Sequence, residues 1–210
     1  MYSIICANAE LLLRDSKLST AVRSYSRLMD ELRHTDVSRD IDYQAEYRRF
    51  WAINAARWSA GQVDHYFRLL EHEKNRASPN VERAVRSLAK VDGEPATIQL
   101  SFASKLVHMI EPTAPVYDSL VAAFYHFNTP AFTTSHESRL AKLLGFYSFL
   151  ESEYERVISA GIMGSALRQF RLAFPEAADF TDQKLIDFLI WTYVRVLRSG
   201  AQLRGELLYS

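Results

Sequence analysis

The residues best suited to chemistry lie on either side of a pair of prolines. Residues 101–110 are strongly apolar yet contain Lys105, and Asp118 follows a connection that Pro112 and Pro115 stiffen. A lysine in an apolar helix loses solvation, which lowers the pKa of its ammonium group and can make the amine a nucleophile. An aspartate at a helix start is favoured as its anion. We therefore predict Lys105 and Asp118 as catalytic residues. The structural alternative is a lysine that snorkels to the surface or pairs with a carboxylate, and an aspartate that is only an N-cap.

The same segment carries a resemblance. The pattern Phe102-Ala103-Ser104-Lys105, followed by Pro115-Val116-Tyr117-Asp118-Ser119-x-Val121, resembles one in a family of all-helical bacterial proteins. More distantly it is similar to the helix-hairpin-helix DNA glycosylase superfamily. That similarity implies a glycosylase-like fold, association with nucleic acid, and a match of Lys105 and Asp118 to the superfamily's lysine and aspartate. It covers about thirty residues, and 96–100 stands where the superfamily has a glycine-rich hairpin.

A basic stripe precedes this segment in the sequence. Arg83, Arg86 and Lys90 are three and four residues apart, which places them on one face of a helix, and Arg76 lies just before them. Such a cluster can bind phosphate groups. The alternative is a solvated helix face. We predict Arg83, Arg86 and Lys90 as binding residues.

Further binding candidates flank the two catalytic ones. His108 and Tyr117 belong to the proline-containing segment itself, and Asp187 and Trp191 lie four residues apart on an apolar final helix that also contains Lys184. If Asp187 is buried, its carboxylate needs a partner. We expect Lys105, or an arginine of another helix, to fill that role, so that the site faces Asp187. The alternative is a buried ion pair with no functional role.

Neither a metal nor a cofactor is predicted. The six histidines are scattered, and none forms a zinc-protease pattern with a second histidine or a glutamate. The segment Gly161-Ile162-Met163-Gly164 is too short for a phosphate-binding loop. The single cysteine, Cys6, cannot form an internal disulfide, which favours a reducing, cytoplasmic compartment.

The composition predicts an all-α fold in a single domain covering residues 1–210. Of the 210 residues, 48% are hydrophobic and only 7 are glycine and 6 proline, too few turn residues for a β-sandwich or a Rossmann fold of this length. Apolar residues recur with helical rather than alternating spacing. A subdomain boundary near 93–97 is an alternative to one continuous domain. The ten predicted helices cover 4–14, 18–34, 43–60, 62–75, 81–91, 97–110, 118–128, 135–159, 163–173 and 182–198.

Charge and hydropathy exclude some classes of partner but do not identify one. Lys plus Arg equals Asp plus Glu, at 25 each, so no net charge steers the chain to nucleic acid. No apolar run is long enough to cross a membrane, so no membrane partner is predicted. Three hypotheses stay open: a nucleic-acid-associated glycosylase relative; a non-catalytic helical module that binds a protein, a small molecule or a second copy of itself; and a lysine-based enzyme that forms a Schiff base.

Overall fold

Eleven α-helices follow one another in a computed structural model that describes residues 1–53, 58–76, 78–90, 97–131, 134–200 and 203. These ranges contain no strand, which confirms the predicted all-α fold. A short 3₁₀ helix, Pro175–Ala177, precedes the last α-helix. The α-helices are α1 Tyr2–Ala7, α2 Ala9–Leu13, α3 Ser16–His34, α4 Ile41–Phe50, α5 Ala60–Lys74, α6 Val81–Leu88, α7 Leu100–Ile110, α8 Ser119–Phe124, α9 His136–Ser159, α10 Gly164–Ala173 and α11 Asp182–Arg198.

Side-chain N-caps form hydrogen bonds at four helix starts. Asn80 accepts from the backbone N–H of the third residue of α6 at 2.9 Å. Ser135 and Thr181 accept in the same way at the starts of α9 and α11, each at 3.2 Å. Asp118 caps α8 by accepting two backbone N–H groups. Because free N–H groups at a helix start need acceptors, these side chains determine where each helix begins.

The prediction of one helix over residues 43–60 is wrong. Helix α4 ends at Phe50, and Ala52 takes a left-handed conformation with φ of 55°. The next helix starts at Ala60, because Ser59 and Gln62 form a reciprocal capping box. Gly61 therefore lies in the first turn of α5 instead of ending the preceding helix.

Other predicted boundaries differ by a few residues. The first predicted helix is divided into α1 and α2 at Asn8, whose side chain donates to the carbonyl of Ile4 at 2.8 Å. Helix α6 stops at Leu88, α7 begins at Leu100, and α8 ends at Phe124. Most of the subdomain boundary predicted near 93–97 lies outside the described residues.

Helices α7 and α11 form the centre of the core. Eight of the eleven residues of α7 are buried, and so are eleven of the seventeen residues of α11. Helix α11 packs against α8, α2, α9 and α10, so it touches both halves of the chain. Among the described helices, none has the length and apolar character to cross a bilayer. The buried charges of α7 and α11 are therefore an energetic cost that the surrounding groups must offset.

Candidate functional site

The connection between α7 and α8 is held in place by side chains from neighbouring elements. Four backbone carbonyls along it each accept a hydrogen bond, so the chain between the two helices has a defined path. Since Asp118 stands directly after this connection, its position is set by the same bonds. The donors are Thr181 Oγ1 to Pro112 at 2.7 Å, His108 Nδ1 to Ala114 at 2.6 Å, Tyr147 Oη to Pro115 at 3.1 Å, and Ser104 Oγ to Tyr117 at 3.3 Å.

A cavity of about 110 Å³ lies between α4, α7, α11 and the start of α8. Four charged side chains line it: Lys105, Asp118, Lys184 and Asp187. Four aromatic side chains, Phe50, Trp51, Phe188 and Trp191, complete most of its wall. The structure thus brings together Lys105, Asp118, Asp187 and Trp191, four of the residues that the sequence singled out. Two lysines and two aspartates balance in formal charge within an aromatic enclosure.

Lys184 and Asp187 form a buried ion pair inside this cavity. Lys184 Nζ lies 2.9 Å from Asp187 Oδ2, one turn further along α11. The Lys184 side chain is 1% exposed, and its ammonium lies over four aromatic rings. Burial lowers the pKa of Lys184 and raises the pKa of Asp187, and each group's charge opposes the shift of the other. The rings are Phe188, Tyr25, Trp51 and Phe50, with centroids 4.3, 4.5, 4.7 and 5.7 Å from the nitrogen.

Lys105 differs from Lys184 in having no ion pair among the described residues. Its ammonium donates to the carbonyl oxygen of Trp51 at 3.1 Å and lies 5.0 Å from the ring centre of Phe102. Burial lowers the pKa of Lys105; the charges of Asp118 and Asp187 oppose this shift, and the charge of Lys184 adds to it. A lysine with a lowered pKa and one hydrogen bond to a neutral carbonyl is closer to the free amine than an ion-paired lysine.

The partner of Lys105 stands at the end of a helix. Trp51 is the C-cap residue of α4, so its carbonyl belongs to the negative end of the helix dipole and favours a cation. The next residue, Ala52, also lines the cavity, and its φ of 55° is left-handed. Such strain in a non-glycine residue costs on the order of 1 kcal/mol and is concentrated at functional sites.

Asp118 presents one carboxylate oxygen to its own helix. Oδ1 accepts the backbone N–H groups of Leu120 and Val121, each at 2.8 Å. The carboxylate is therefore a true N-cap, as the structural alternative requires, and it also lines the cavity. The N-cap and the place in the cavity wall are compatible, because a cap through one oxygen leaves the second oxygen for another contact.

The basic stripe lies apart from the residues lining this cavity, and its arginines are already paired. Arg83 donates to Glu73 at 2.8 Å, and Arg86 donates to Glu82 at 2.9 Å. Lys90 is exposed beyond the end of α6. Arg76 also contacts Glu73, at 3.0 Å. The three predicted binding residues therefore do not converge with Lys105 and Asp118.

His108 and Tyr117 lie beside the cavity rather than in its wall. The His108 ring is buried and neutral, because burial lowers its pKa to about 3. Nδ1 donates to Ala114, so Nε2 is the acceptor, and the hydroxyl of Tyr25 donates to it at 3.0 Å. The Tyr117 ring packs against Phe146, with centroids 5.9 Å apart. Both residues position the connection to α8 and do not line the cavity.

Sequence reasoning missed the aromatic walls and the role of Lys184. Phe50 and Trp51 match an ordinary core stripe, because aromatic residues have the same pattern in a core and in a pocket. The prediction that Lys105 or an arginine pairs with Asp187 is wrong, since the structure pairs Asp187 with Lys184. The i,i+3 spacing of Lys184 and Asp187 is the available signal for that pair.

Comparison with known proteins gives no further assignment. No family model matches the chain, and no match was found among curated proteins or solved structures. Among the described residues, no group of three or more His, Cys, Asp or Glu side chains could hold a metal ion.

Proposed function

We propose that this protein is a nucleic-acid-associated enzyme in which Lys105 is the nucleophile, as its resemblance to the helix-hairpin-helix DNA glycosylases implies. The observation that carries the proposal is that Lys105 and Asp118 line one cavity. Lys105 has the lowered pKa that a nucleophilic amine needs, and it forms no ion pair within the described part of the chain. A core lysine with a purely structural role is expected to have a carboxylate partner, as Lys184 has.

The chemistry that suits this arrangement is imine formation at a sugar carbon. The neutral amine of Lys105 attacks C1′ of an abasic deoxyribose in its open-chain aldehyde form. The nitrogen bonds to that carbon, both amine hydrogens and one proton from solvent are shared between the product and the departing oxygen, the oxygen leaves as water, and a protonated imine with one N–H remains. Asp118 and the carbonyl of Trp51 stabilise the positive charge on nitrogen, because both present negative potential to the same small space.

The size of the cavity supports a ligand that enters only in part. A volume of about 110 Å³ is well below the several hundred Å³ of a site for a whole small ligand. It is close to a cavity of about 150 Å³ that holds a benzene ring. One ring or sugar can therefore occupy it while the rest of the molecule stays outside. A nucleotide turned out of a DNA helix presents its groups in this way.

Trapping with borohydride tests the proposal directly. Duplex DNA with one abasic site is incubated with the protein and sodium borohydride, which delivers hydride to the imine carbon and fixes the adduct. We expect an adduct that maps to Lys105 by peptide mass spectrometry and that Lys105→Ala abolishes. The matched control is Lys142→Ala, because Lys142 is an exposed lysine of α9. An adduct that persists in Lys105→Ala, or no adduct together with no DNA binding at low salt, refutes the proposal.

The ion pairs that the arginines of the basic stripe form with glutamates favour a second function. Because Arg83 and Arg86 are bound to glutamates, the stripe offers phosphate groups little free charge. A small aldehyde that needs no phosphate contacts fits the same cavity, which makes the protein a small-molecule enzyme or binding module. The same trapping experiment with glycolaldehyde separates the two. A Lys105-dependent adduct with glycolaldehyde, and none with abasic DNA, supports the second function over the first.

A further inference from the structure

We propose that Lys184 is a positioning residue for Lys105. By holding Asp187 in an ion pair, Lys184 keeps that carboxylate from binding Lys105, and the Lys105 amine stays available for reaction. This inference rests on the proposed nucleophilic role of Lys105. It gives a function to an ion pair that would otherwise be only a buried structural contact.

The geometry makes Asp187 the shared neighbour of both lysines. Lys105, Lys184 and Asp187 all line the 110 Å³ cavity, and the bond of 2.9 Å joins Asp187 to Lys184 alone. Lys184 cannot turn out to solvent, because its ammonium is enclosed by the rings of Tyr25, Trp51 and Phe188. The pair is therefore fixed in place on one turn of α11.

Few other charges act on Lys105. The charged groups that face it are Asp118 at the start of α8 and the two members of the α11 pair. From α3, α4 and the two residues after α4, the cavity is lined by Ala21, Phe50, Trp51 and Ala52, which carry no charge. One oxygen of Asp118 is already bound to two backbone N–H groups. The protonation state of Lys105 therefore depends on whether Asp187 pairs with Lys184 or with Lys105.

Loss of the Lys184 charge leaves one cation for Asp187 to bind. An uncompensated buried carboxylate is strongly unfavourable, so it takes the nearest available cation, which is Lys105. In that ion pair Lys105 stays protonated to higher pH and has no lone pair to offer. The expected consequence of losing Lys184 is a less reactive Lys105, even though Lys105 itself is unchanged.

Competitive labelling measures this reactivity lysine by lysine. The protein is treated with trace acetic anhydride at a series of pH values, and each acetylated lysine is quantified by peptide mass spectrometry, with exposed Lys142 as internal reference. In the wild type we expect the Lys105 profile to lie below the ordinary pKa of a lysine side chain, because burial lowers the pKa of Lys105. In Lys184→Met the profile should move up by at least one pH unit, a roughly tenfold fall in labelling below its midpoint. The double variant Lys184→Met/Asp187→Leu should return within about twofold of wild type.

The double variant separates the charge effect from damage to the cavity. An unchanged profile in Lys184→Met overturns the inference, and so does a loss of reactivity that persists in the double variant. If Lys184→Met does not fold by circular dichroism, the double variant decides alone: a profile within twofold of wild type supports the inference, and a larger change overturns it. The labelling needs no nucleic acid, so no DNA adduct together with no DNA binding, alongside the expected labelling profiles, refutes the proposed function and leaves the effect of Lys184 on Lys105 supported.

Discussion

Replacing Lys184 by methionine should be among the most destabilising single changes in this protein. Methionine keeps most of the length of the side chain, so the main loss is the charge that compensates Asp187, which is 7% exposed. Breaking a buried ion pair by removing one partner costs about 3–5 kcal/mol, and a new pair between Asp187 and Lys105 should recover only part of that cost. Replacing both members with Lys184→Met/Asp187→Leu removes both desolvation penalties, so the double variant should lie within about 1–2 kcal/mol of wild type or above it.

The penalty in Lys184→Met should also depend on pH. Burial raises the pKa of Asp187 above its ordinary value of 3.8, and loss of the Lys184 charge raises it further. Above pH 3.8 the folded state then binds more protons than the unfolded state, so the stability of the variant falls as the pH rises from about 4 to 7. The difference from wild type should be largest at neutral pH and smallest below pH 3.8, where Asp187 is largely protonated in both the folded and the unfolded state.

Urea unfolding followed by circular dichroism at 222 nm measures these differences. Wild type, the single variant and the double variant are compared at pH 7.5 and pH 4.5. Lys142→Met serves as the surface control and should stay within about 0.5 kcal/mol of wild type. The reasoning is refuted if the single variant loses less than about 1 kcal/mol at pH 7.5, or if the double variant is no more stable than the single one.

Three other predictions follow from polar groups and turns outside this pair. His108 has a pKa of about 3 when folded and 6.5 when unfolded, so its contribution to the free energy of unfolding is complete above pH 6.5, and about 2 kcal/mol of it is lost by pH 5. Urea titrations at pH 7.5 and 5.0 should show this loss in wild type and not in His108→Asn. His126 (φ of 53°) and Gly161 (φ of 65°) take equivalent left-handed positions after α8 and α9, where glycine is the least strained residue. Urea unfolding should therefore show His126→Gly raising stability by about 1 kcal/mol and Gly161→Ala lowering it by a similar amount. Glu73 is 3% exposed, and its pKa is lowered by Arg83 and Arg76, which are themselves partly exposed. Glu73→Gln should therefore lower the free energy of unfolding by about 1–2 kcal/mol at pH 7, and urea unfolding should show this difference closing as the pH falls below 4.5.

The fold and part of the site are predictable because both leave local signals. Helical spacing of apolar residues and capping side chains such as Ser135 and Thr181 act within a few residues, so the sequence alone defines most helices. Lys105 and Asp187 can be recognised because a charged residue is unusual inside an otherwise apolar helix. A residue that breaks a local pattern in this way can be recognised from its neighbours in the chain.

The remaining features depend on contacts between distant parts of the chain. Arg83 is neutralised by Glu73 from the preceding helix, ten residues away, and no spacing rule links the two. The break after Phe50 has no sequence signal, because alanine at position 52 is a strong helix former that here adopts a left-handed turn. The choice of Lys184 over Lys105 as the partner of Asp187 is set by side-chain reach within α11.

For the proposed reaction, the hydrogen bond between Lys105 and the carbonyl of Trp51 would also set the direction from which a ligand approaches. A neutral primary amine has two N–H bonds and one lone pair, arranged tetrahedrally. When one N–H points at the Trp51 oxygen, 3.1 Å away, the lone pair must point elsewhere. The carbonyl can accept an N–H from the amine before reaction and from the protonated imine afterwards. In the proposed reaction the end of α4 therefore holds the nitrogen while its bonding changes, and a reacting carbon has to arrive along the lone pair, at a wide angle to the hydrogen bond with Trp51.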